Sequence, residues 1–114
     1  MDVRRGRVCL IDFNPRIRTR PGQVRPAVVL QSDFVSEAGH PSTVVVPTTT
    51  RLAEDAGLLR LRLTRSSAGI DHDSDVLVGQ VIAIANESFR RELVPLDAGL
   101  TRELERRVSI VLAL

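Results

Sequence analysis

The chain has 114 residues, of which 43% are hydrophobic, 26% are charged and only 3% are aromatic, and its formal net charge is +2. This length is typical of one domain, so we expect residues 1–114 to form a single domain with an aliphatic core. The composition excludes an internal disulfide, because Cys9 is the only cysteine, and it disfavours a nucleic-acid site built on stacked aromatic rings.

Five segments are predicted to form β-strands, because each combines apolar residues with flanking turn signals. In chain order they are residues 5–13, 25–32, 42–50, 58–65 and 76–85. The third is apolar on both faces, as expected for a central strand. The fourth alternates, with Leu59, Leu61 and Leu63 on one face, which is typical of an antiparallel strand with one buried face. In the fifth, Gly79 predicts a bulge or a close backbone approach.

Polar segments rich in turn residues connect these strands. In chain order they are residues 14–23, 32–41, 51–57 and 66–75, and the second has room for one helical turn. Residues 86–93 are predicted to form a short helix. The chain closes with a predicted amphipathic helix over 96–114, with Thr101 as a candidate N-cap. Its apolar residues recur at helical spacing: Leu100, Leu104, Val108 and Val111. Short strands followed by a late helix predict a mainly β or α+β fold.

The sequence offers little material for a metal site. IDHDSD, residues 70–75, is the only cluster of His and Asp, and it lacks the ligand spacing and closing Glu of an EF-hand loop. A polar turn is the favoured interpretation. Neither a glycine-rich phosphate loop nor a nucleophile elbow is present. We therefore expect no metal ion and no other cofactor.

Positive charge is concentrated in the first part of the chain. All 16 basic residues are arginine, and 11 of them lie in residues 1–65 beside 6 acidic residues, whereas residues 66–114 hold 5 arginines and 8 acidic residues. The planar guanidinium binds phosphate and carboxylate groups bidentately. A general preference for arginine over lysine would explain the missing lysines but not this asymmetry.

Two predicted strands meet loops at residues suited to phosphodiester chemistry. Arg25 precedes Pro26 at the start of the second strand, and Thr48–Thr50 close the third. If these ends are adjacent, a guanidinium and a hydroxyl converge where binding groups tend to lie. Such groups would stabilise the charge that develops on a phosphate attacked by the 2′-OH of RNA. The alternatives are a surface ion pair for Arg25 and a β-branched strand end for the threonines.

Four segments in this order resemble the MazF/PemK (Kid) family of toxins: RRGRVCLIDFNP, VRPAVVLQSD, TVVVPTTT and SDVLVGQVIAI. The resemblance covers nearly the whole chain, and RPAVVL and VPTT are its most specific blocks. It implies a small, strongly curved antiparallel barrel of the SH3-like, CcdB/PemK-like kind with a C-terminal α-helix. It also implies a homodimer that binds RNA in a basic groove.

The same resemblance implies the toxin of a type II toxin–antitoxin system, an mRNA interferase. Such an enzyme cuts single-stranded mRNA at specific sequences without the ribosome or a metal, and we expect it to leave a 2′,3′-cyclic phosphate. The implied partners are single-stranded RNA, a MazE-like antitoxin and a second copy of the chain. We expect a cytoplasmic protein, because no stretch approaches the roughly 20 apolar residues of a membrane span and the N-terminus does not resemble a signal peptide.

Carried over by residue, the family's catalytic arginine matches Arg25 and its catalytic threonine matches Thr49. The expected RNA contacts are Arg16, Arg18, Arg20, Thr48, Thr50 and Gln80. Three positions depart from the family pattern: Arg20 replaces a frequent Glu, Gly79 replaces an acid, and Val24 replaces a His found in some members. The general base therefore stays open between Asp12, Asp75, Arg25 itself and a carboxylate elsewhere in the chain.

Two other functions fit the same framework. A CcdB-like gyrase poison would act through C-terminal residues, but the apolar SIVLAL end of this chain suggests a structural role. The departures at Arg20 and Gly79 leave open a catalytically inactive relative that only binds an antitoxin or RNA. Cleavage of RNA by the purified protein would separate these alternatives from the nuclease.

Overall fold

Antiparallel strands and a C-terminal helix build the fold in the computed structural model, which describes residues 3–15 and 22–114. The strands are β1 Arg7–Asp12, β2 Val24–Val29, β3 Ser42–Thr49, β4 Arg60–Leu63, β5 Ser74–Leu77, β6 Ile82–Ala85 and β7 Phe89–Pro95. The α-helices are α1 Asp33–Glu37, α2 Arg65–Ala68 and α3 Ala98–Val111, and two short 3₁₀ turns span Gly57–Leu59 and Asn86–Ser88.

Strand β3 is the centre of the sheet, as its apolar sequence predicted. One edge of β3 pairs with β2, and the opposite edge pairs first with β6 and then with β5. The strand order is β4–β5–β3–β2–β1–β7, with β6 beside β3. This confirms the predicted antiparallel, mainly β fold with a C-terminal helix. Within the described residues the path is open, since no pairing joins β4 to β7.

The core lies on both faces of the β1–β2 pair, because successive strand residues point to opposite faces. One cluster contains Cys9, Ile11, Phe13, Ala27, Val29, Val45 and Ile84. The other contains Val8, Val28 and Val46 and is covered by α3 through Leu104 and Val108, with Leu100 and Val111 packed at its edge. The Cys9 thiol is buried, and desolvation by burial, followed by the charge of Glu92, raises the pKa of Cys9 to about 11.

Three sequence predictions about the second half are wrong. The segment 76–85 is two strands, since β5 ends at Leu77 and β6 begins at Ile82. Gly79 lies in the turn between them, where an added Cβ would sit an ordinary 3.5 Å from a methyl of Leu59. Leu59 itself lies in a 3₁₀ turn before β4 and is 53% exposed rather than buried with its neighbours.

The predicted helix over 86–93 is also wrong, because only a 3₁₀ turn forms there before β7 begins at Phe89. Pairing with β1 satisfies the backbone of this segment, and such tertiary pairing overrides a weak local preference for helix. Helix α3 is confirmed, but its N-cap is Asp97, whose carboxylate accepts from the amides of Gly99 and Leu100, rather than Thr101. The predicted turn over 66–75 contains most of α2.

Replacing Leu104 with alanine tests the role of α3 in the core. Leu104 is fully buried, so the loss of its side chain is expected to lower the free energy of unfolding by about 2–5 kcal/mol. Chemical denaturation measures this change. The matched control is Ile110→Ala on the same helix, where the side chain is 49% exposed and the expected effect is below about 1 kcal/mol.

Candidate active site

Strand pairing brings Arg25 and Thr49 together. In the β2–β3 ladder Ala27 lies opposite Pro47 and Val28 opposite Val46, so the same register continued by two residues sets Arg25 opposite Thr49. Both residues line one cleft with a volume of about 250 Å³, here called the Arg25 cleft. The convergence of these two strand ends, which the sequence could only suggest, is present in the fold.

The guanidinium of Arg25 is held by backbone carbonyls. Its Nε donates to the Gly22 carbonyl at 2.8 Å, and its Nη1 donates to the Thr48 carbonyl at 3.0 Å. The side chain is half-buried at the start of β2. A charged group fixed in this way needs little rearrangement when a phosphate arrives, which is the property that makes electrostatic catalysis effective.

The three threonines at the end of β3 have different surroundings. Thr48 is 1% exposed, and its hydroxyl donates to the Pro26 carbonyl at 2.7 Å. The Thr49 hydroxyl accepts the backbone N–H of Arg51 at 3.2 Å, which leaves its hydrogen to be donated to a ligand. Thr50 is exposed. The geometry therefore gives Thr48 a structural hydrogen bond and leaves Thr49 equipped to bind an anion.

A second cleft, here called the Gln80 cleft, adjoins the first and has a volume of about 620 Å³. Arg25, Thr49 and Thr50 line both clefts. The Gln80 cleft adds Gln80 and two arginines that the sequence analysis did not single out, Arg51 and Arg60. The predicted contacts Arg16, Arg18 and Arg20 lie outside the described residues.

Two carboxylates considered as general bases line neither cleft. Asp75 is 1% exposed and accepts from Arg62 Nε at 2.6 Å, from the Ala53 amide at 2.8 Å and from Arg60 Nη1 at 3.1 Å. Asp12 accepts from the Asn14 amide at 2.9 Å and pairs with Arg90 at 3.1 Å. Both carboxylates are committed to structural contacts, and neither is placed to take a proton from a substrate in either cleft.

The titratable residues that do line the Arg25 cleft were missed by the sequence analysis. Asp71 and His72, in the turn before β5, lie along its wall, and so does Arg91 of β7. The sequence analysis weighed this turn as a metal site and favoured a polar turn, without relating it to Arg25 or Thr49. This turn lies directly before β5, which pairs with Thr48 and Thr49. That position is the signal that could have identified the turn as part of the cleft.

Within residues 3–15 and 22–114, no three His, Cys, Asp or Glu side chains are grouped so that they could hold a metal ion. The same part of the chain has no helix both long and apolar enough to cross a membrane.

Acidification is expected to weaken the fold through two carboxylates. Burial alone would raise the pKa of Asp75, but hydrogen bonds from Arg62 and the Ala53 amide outweigh it and keep this pKa below its usual value. Hydrogen bonds from Arg106 and Arg107 lower the pKa of Glu103 from 4.5 to about 2. A carboxyl group whose pKa is lower in the folded than in the unfolded protein stabilises the fold at pH values above the unfolded-state pKa. This stabilisation is lost as the pH falls through the folded-state pKa.

The melting temperature should therefore fall as the pH is lowered from about 4.5 towards 2. The variants Asp75→Asn and Glu103→Gln should each show a smaller dependence in this window. Glu54→Gln is the matched control, since the Glu54 side chain is 81% exposed. Unchanged pH dependence in both variants would contradict the assignment. Thermal denaturation followed by circular dichroism at a series of pH values makes the comparison.

Comparison with known proteins places this chain in a family. The family model of the PemK-like, MazF-like toxin of type II toxin–antitoxin systems matches residues 4–112. Endoribonuclease EndoA of Bacillus subtilis is 25% identical over 114 residues, which cover 100% of this chain and 97% of that protein. Endoribonuclease MazF of Staphylococcus saprophyticus is 26% identical over 112 residues, covering 98% and 92% of the two chains.

The fold is also shared with a solved structure. The MazE–MazF crystal structure from Deinococcus radiodurans contains a chain that superposes with a TM-score of 0.79 at 19% identity, covering 100% of this chain and 99% of that one. The resemblance stated from the sequence motifs is thus confirmed. Because the family model matches almost the full length of this chain, the chain belongs to the PemK-like, MazF-like toxins of type II toxin–antitoxin systems.

Proposed function

We propose that the protein is a sequence-specific, metal-independent endoribonuclease that cuts single-stranded mRNA, with Arg25 and Thr49 as catalytic residues. The observation that carries this proposal is that Arg25 and Thr49, at the neighbouring ends of β2 and β3, line the same cleft. Endoribonuclease is also the activity named for both curated relatives.

The chemistry requires charge stabilisation more than covalent participation by the protein. The 2′-oxygen of the ribose attacks the adjacent phosphorus and loses its proton, and the bond from phosphorus to the 5′-oxygen breaks. The products are a 2′,3′-cyclic phosphate and a 5′-hydroxyl. Arg25 would donate hydrogen bonds to the non-bridging oxygens, where negative charge grows in the transition state, and Thr49 would donate one more.

The two adjoining clefts suggest a path for the RNA on either side of the scissile phosphate. Thr50, Gln80, Arg51 and Arg60 would contact the strand in the Gln80 cleft, and the Thr48 backbone borders the Arg25 cleft. The loop arginines Arg16, Arg18 and Arg20 would extend the basic surface. Phosphate contacts position a strand without reading it, so base recognition would rely on hydrogen bonds to the edges of unstacked bases.

The same basic surface suits an antitoxin. We propose a MazE-like partner with an acidic, partly disordered segment that folds over the clefts when it binds. The toxin fold is seen beside MazE in the related Deinococcus structure. We also propose that residues 1–114 form a single domain, that the protein is a homodimer and that it is located in the cytoplasm.

The direct test is incubation of a long single-stranded RNA with the purified protein in EDTA, with cut positions mapped by primer extension. Discrete stops, and 3′ ends whose mass is that of a cyclic phosphate, are expected. Intact RNA would overturn the proposal and favour the relative that only binds. A DNA supercoiling assay on the same preparation examines the gyrase-poison alternative.

Arg51 offers a test of RNA contact in the Gln80 cleft. Its side chain is exposed and, within the described residues, makes no hydrogen bond or ion pair. Replacing it with Gln is expected to weaken binding of an all-deoxy, uncleavable oligonucleotide and to reduce the slope of log K against log salt by about 0.7. Fluorescence anisotropy measures both. Arg102→Gln, on the exposed face of α3, is the control and should leave the slope unchanged.

A further inference from the structure

The Arg25 cleft needs a group that accepts a proton, and this inference rests on the proposed nuclease function. Attack by the 2′-oxygen is efficient only when a positioned base removes its proton. Arg25 remains protonated at any pH a protein tolerates, so it serves poorly as that base. The base must come from another side chain that faces the cleft.

Few described side chains can fill this role. The titratable and charged residues that line the Arg25 cleft are Arg25 from β2, Arg91 from β7, and Asp71 and His72 from the turn before β5. Asp75 and Asp12 are excluded by their structural contacts. Asp73, the next residue in the turn, accepts the backbone N–H of Arg65 at 3.0 Å and does not line the cleft.

We propose that His72 is the general base of this enzyme. Its imidazole is exposed on the wall of the cleft that holds Arg25 and Thr49. Within the described residues its ring makes no hydrogen bond, and the hydrogen bond that His72 does make is through its backbone carbonyl, which accepts from the Ser74 hydroxyl. Imidazole is the most frequent general base in proteins.

The proton balance of the step is simple. The neutral imidazole takes the proton of the 2′-OH while the bond between the 2′-oxygen and phosphorus forms. The bond from phosphorus to the 5′-oxygen breaks, and the departing 5′-oxygen takes a proton from water in the open cleft. The imidazolium then returns its proton to the hydroxide so formed, which leaves the enzyme in its starting state.

The variant His72→Ala gives the central measurement. We expect kcat/KM for a short RNA substrate to fall about 10²- to 10⁴-fold, with little change in KM or melting temperature. For the wild type we expect kcat/KM to rise with pH as the base loses its proton, and in the variant this rise should disappear. Imidazole added to the buffer should restore cleavage by His72→Ala in proportion to its concentration, an effect that a structural role for His72 would not produce.

The matched control is His40→Ala. His40 is the other histidine of the chain, and it lies in a separate cleft with Asn86 and Glu37. Its removal should change neither the rate nor the pH profile. A substrate with sulfur in place of the 5′-oxygen separates the two proton-transfer roles, since a thiolate leaves without a proton. The defect of His72→Ala should persist on it, and loss of the defect would overturn the assignment as base.

Failure of this inference can be told apart from failure of the proposed function. If the wild type cuts RNA and Arg25→Ala does not, while His72→Ala cuts at the wild-type rate with the wild-type pH profile, only the role of His72 is refuted. If the wild type cuts no RNA, the nuclease function itself is refuted, and the assignment of His72 with it.

Discussion

Replacing Arg25 with alanine is expected to reduce the rate of RNA cleavage by about 10²- to 10³-fold, the effect of removing one preorganised donor from a charge-stabilising site. Arg25 holds its guanidinium through the Gly22 and Thr48 carbonyls. Its loss removes the fixed positive charge from the cleft without removing an apolar core side chain. Initial rates with a short fluorescent RNA in EDTA measure the effect.

Two further variants sharpen the Arg25 result. Arg25→Lys keeps the charge but loses the planar fork, so its rate should lie close to that of the alanine variant. Arg102→Ala removes an exposed arginine of α3 that lines neither cleft and should cut at the wild-type rate. Wild-type activity in Arg25→Ala would contradict the proposed mechanism.

Thr48 and Thr49 are neighbours in sequence, yet we expect opposite effects when each is replaced by valine. Thr49→Val should lower the cleavage rate about 10- to 100-fold, the contribution of one hydrogen bond to a charged group, with unchanged stability. Thr48→Val should lower the free energy of unfolding by about 1–3 kcal/mol, because the Pro26 carbonyl loses the hydroxyl of buried Thr48 as its donor, while the folded fraction keeps its activity.

Denaturation curves and single-turnover rates of both valine variants, measured side by side, decide between these roles. The two threonines serve as controls for each other, since the change in chemistry and volume is the same. A stable, inactive Thr48→Val protein would reverse the assignment and make Thr48 the residue that contacts the phosphate.

The first four strands and the C-terminal helix could be predicted from the sequence because they depend on local patterns. The apolar run of β3 identified a central strand, and the helical spacing of Leu104 and Val108 identified α3. Arg25 and Thr49 were found as candidates because each lies where an apolar strand meets a loop, and the family motifs RPAVVL and VPTT contain them. These features need no knowledge of which strands are neighbours.

The predictions that failed depend on contacts between distant segments. The segment 86–93 carries a helical pattern, but the residues from Phe89 onward form β7, because they pair with the free edge of β1. The division of 76–85 into β5 and β6 reflects two strands that share one edge of β3. Local preferences are worth less than about 1 kcal/mol per residue, so pairing with a preformed neighbour outweighs them.

By itself, then, the sequence determined the fold class and the C-terminal helix, and it identified Arg25 and Thr49 as candidate site residues. Only the tertiary structure decided which threonine hydroxyl is buried. It also decided that the Asp75 carboxylate accepts hydrogen bonds from Arg60 and Arg62, and that His72 lines the cleft. The physical reason is that side chains alternate between the two faces of a strand. Which face becomes core and which becomes cleft depends on the register with partners more than 20 residues away in sequence, such as Pro26 for Thr48.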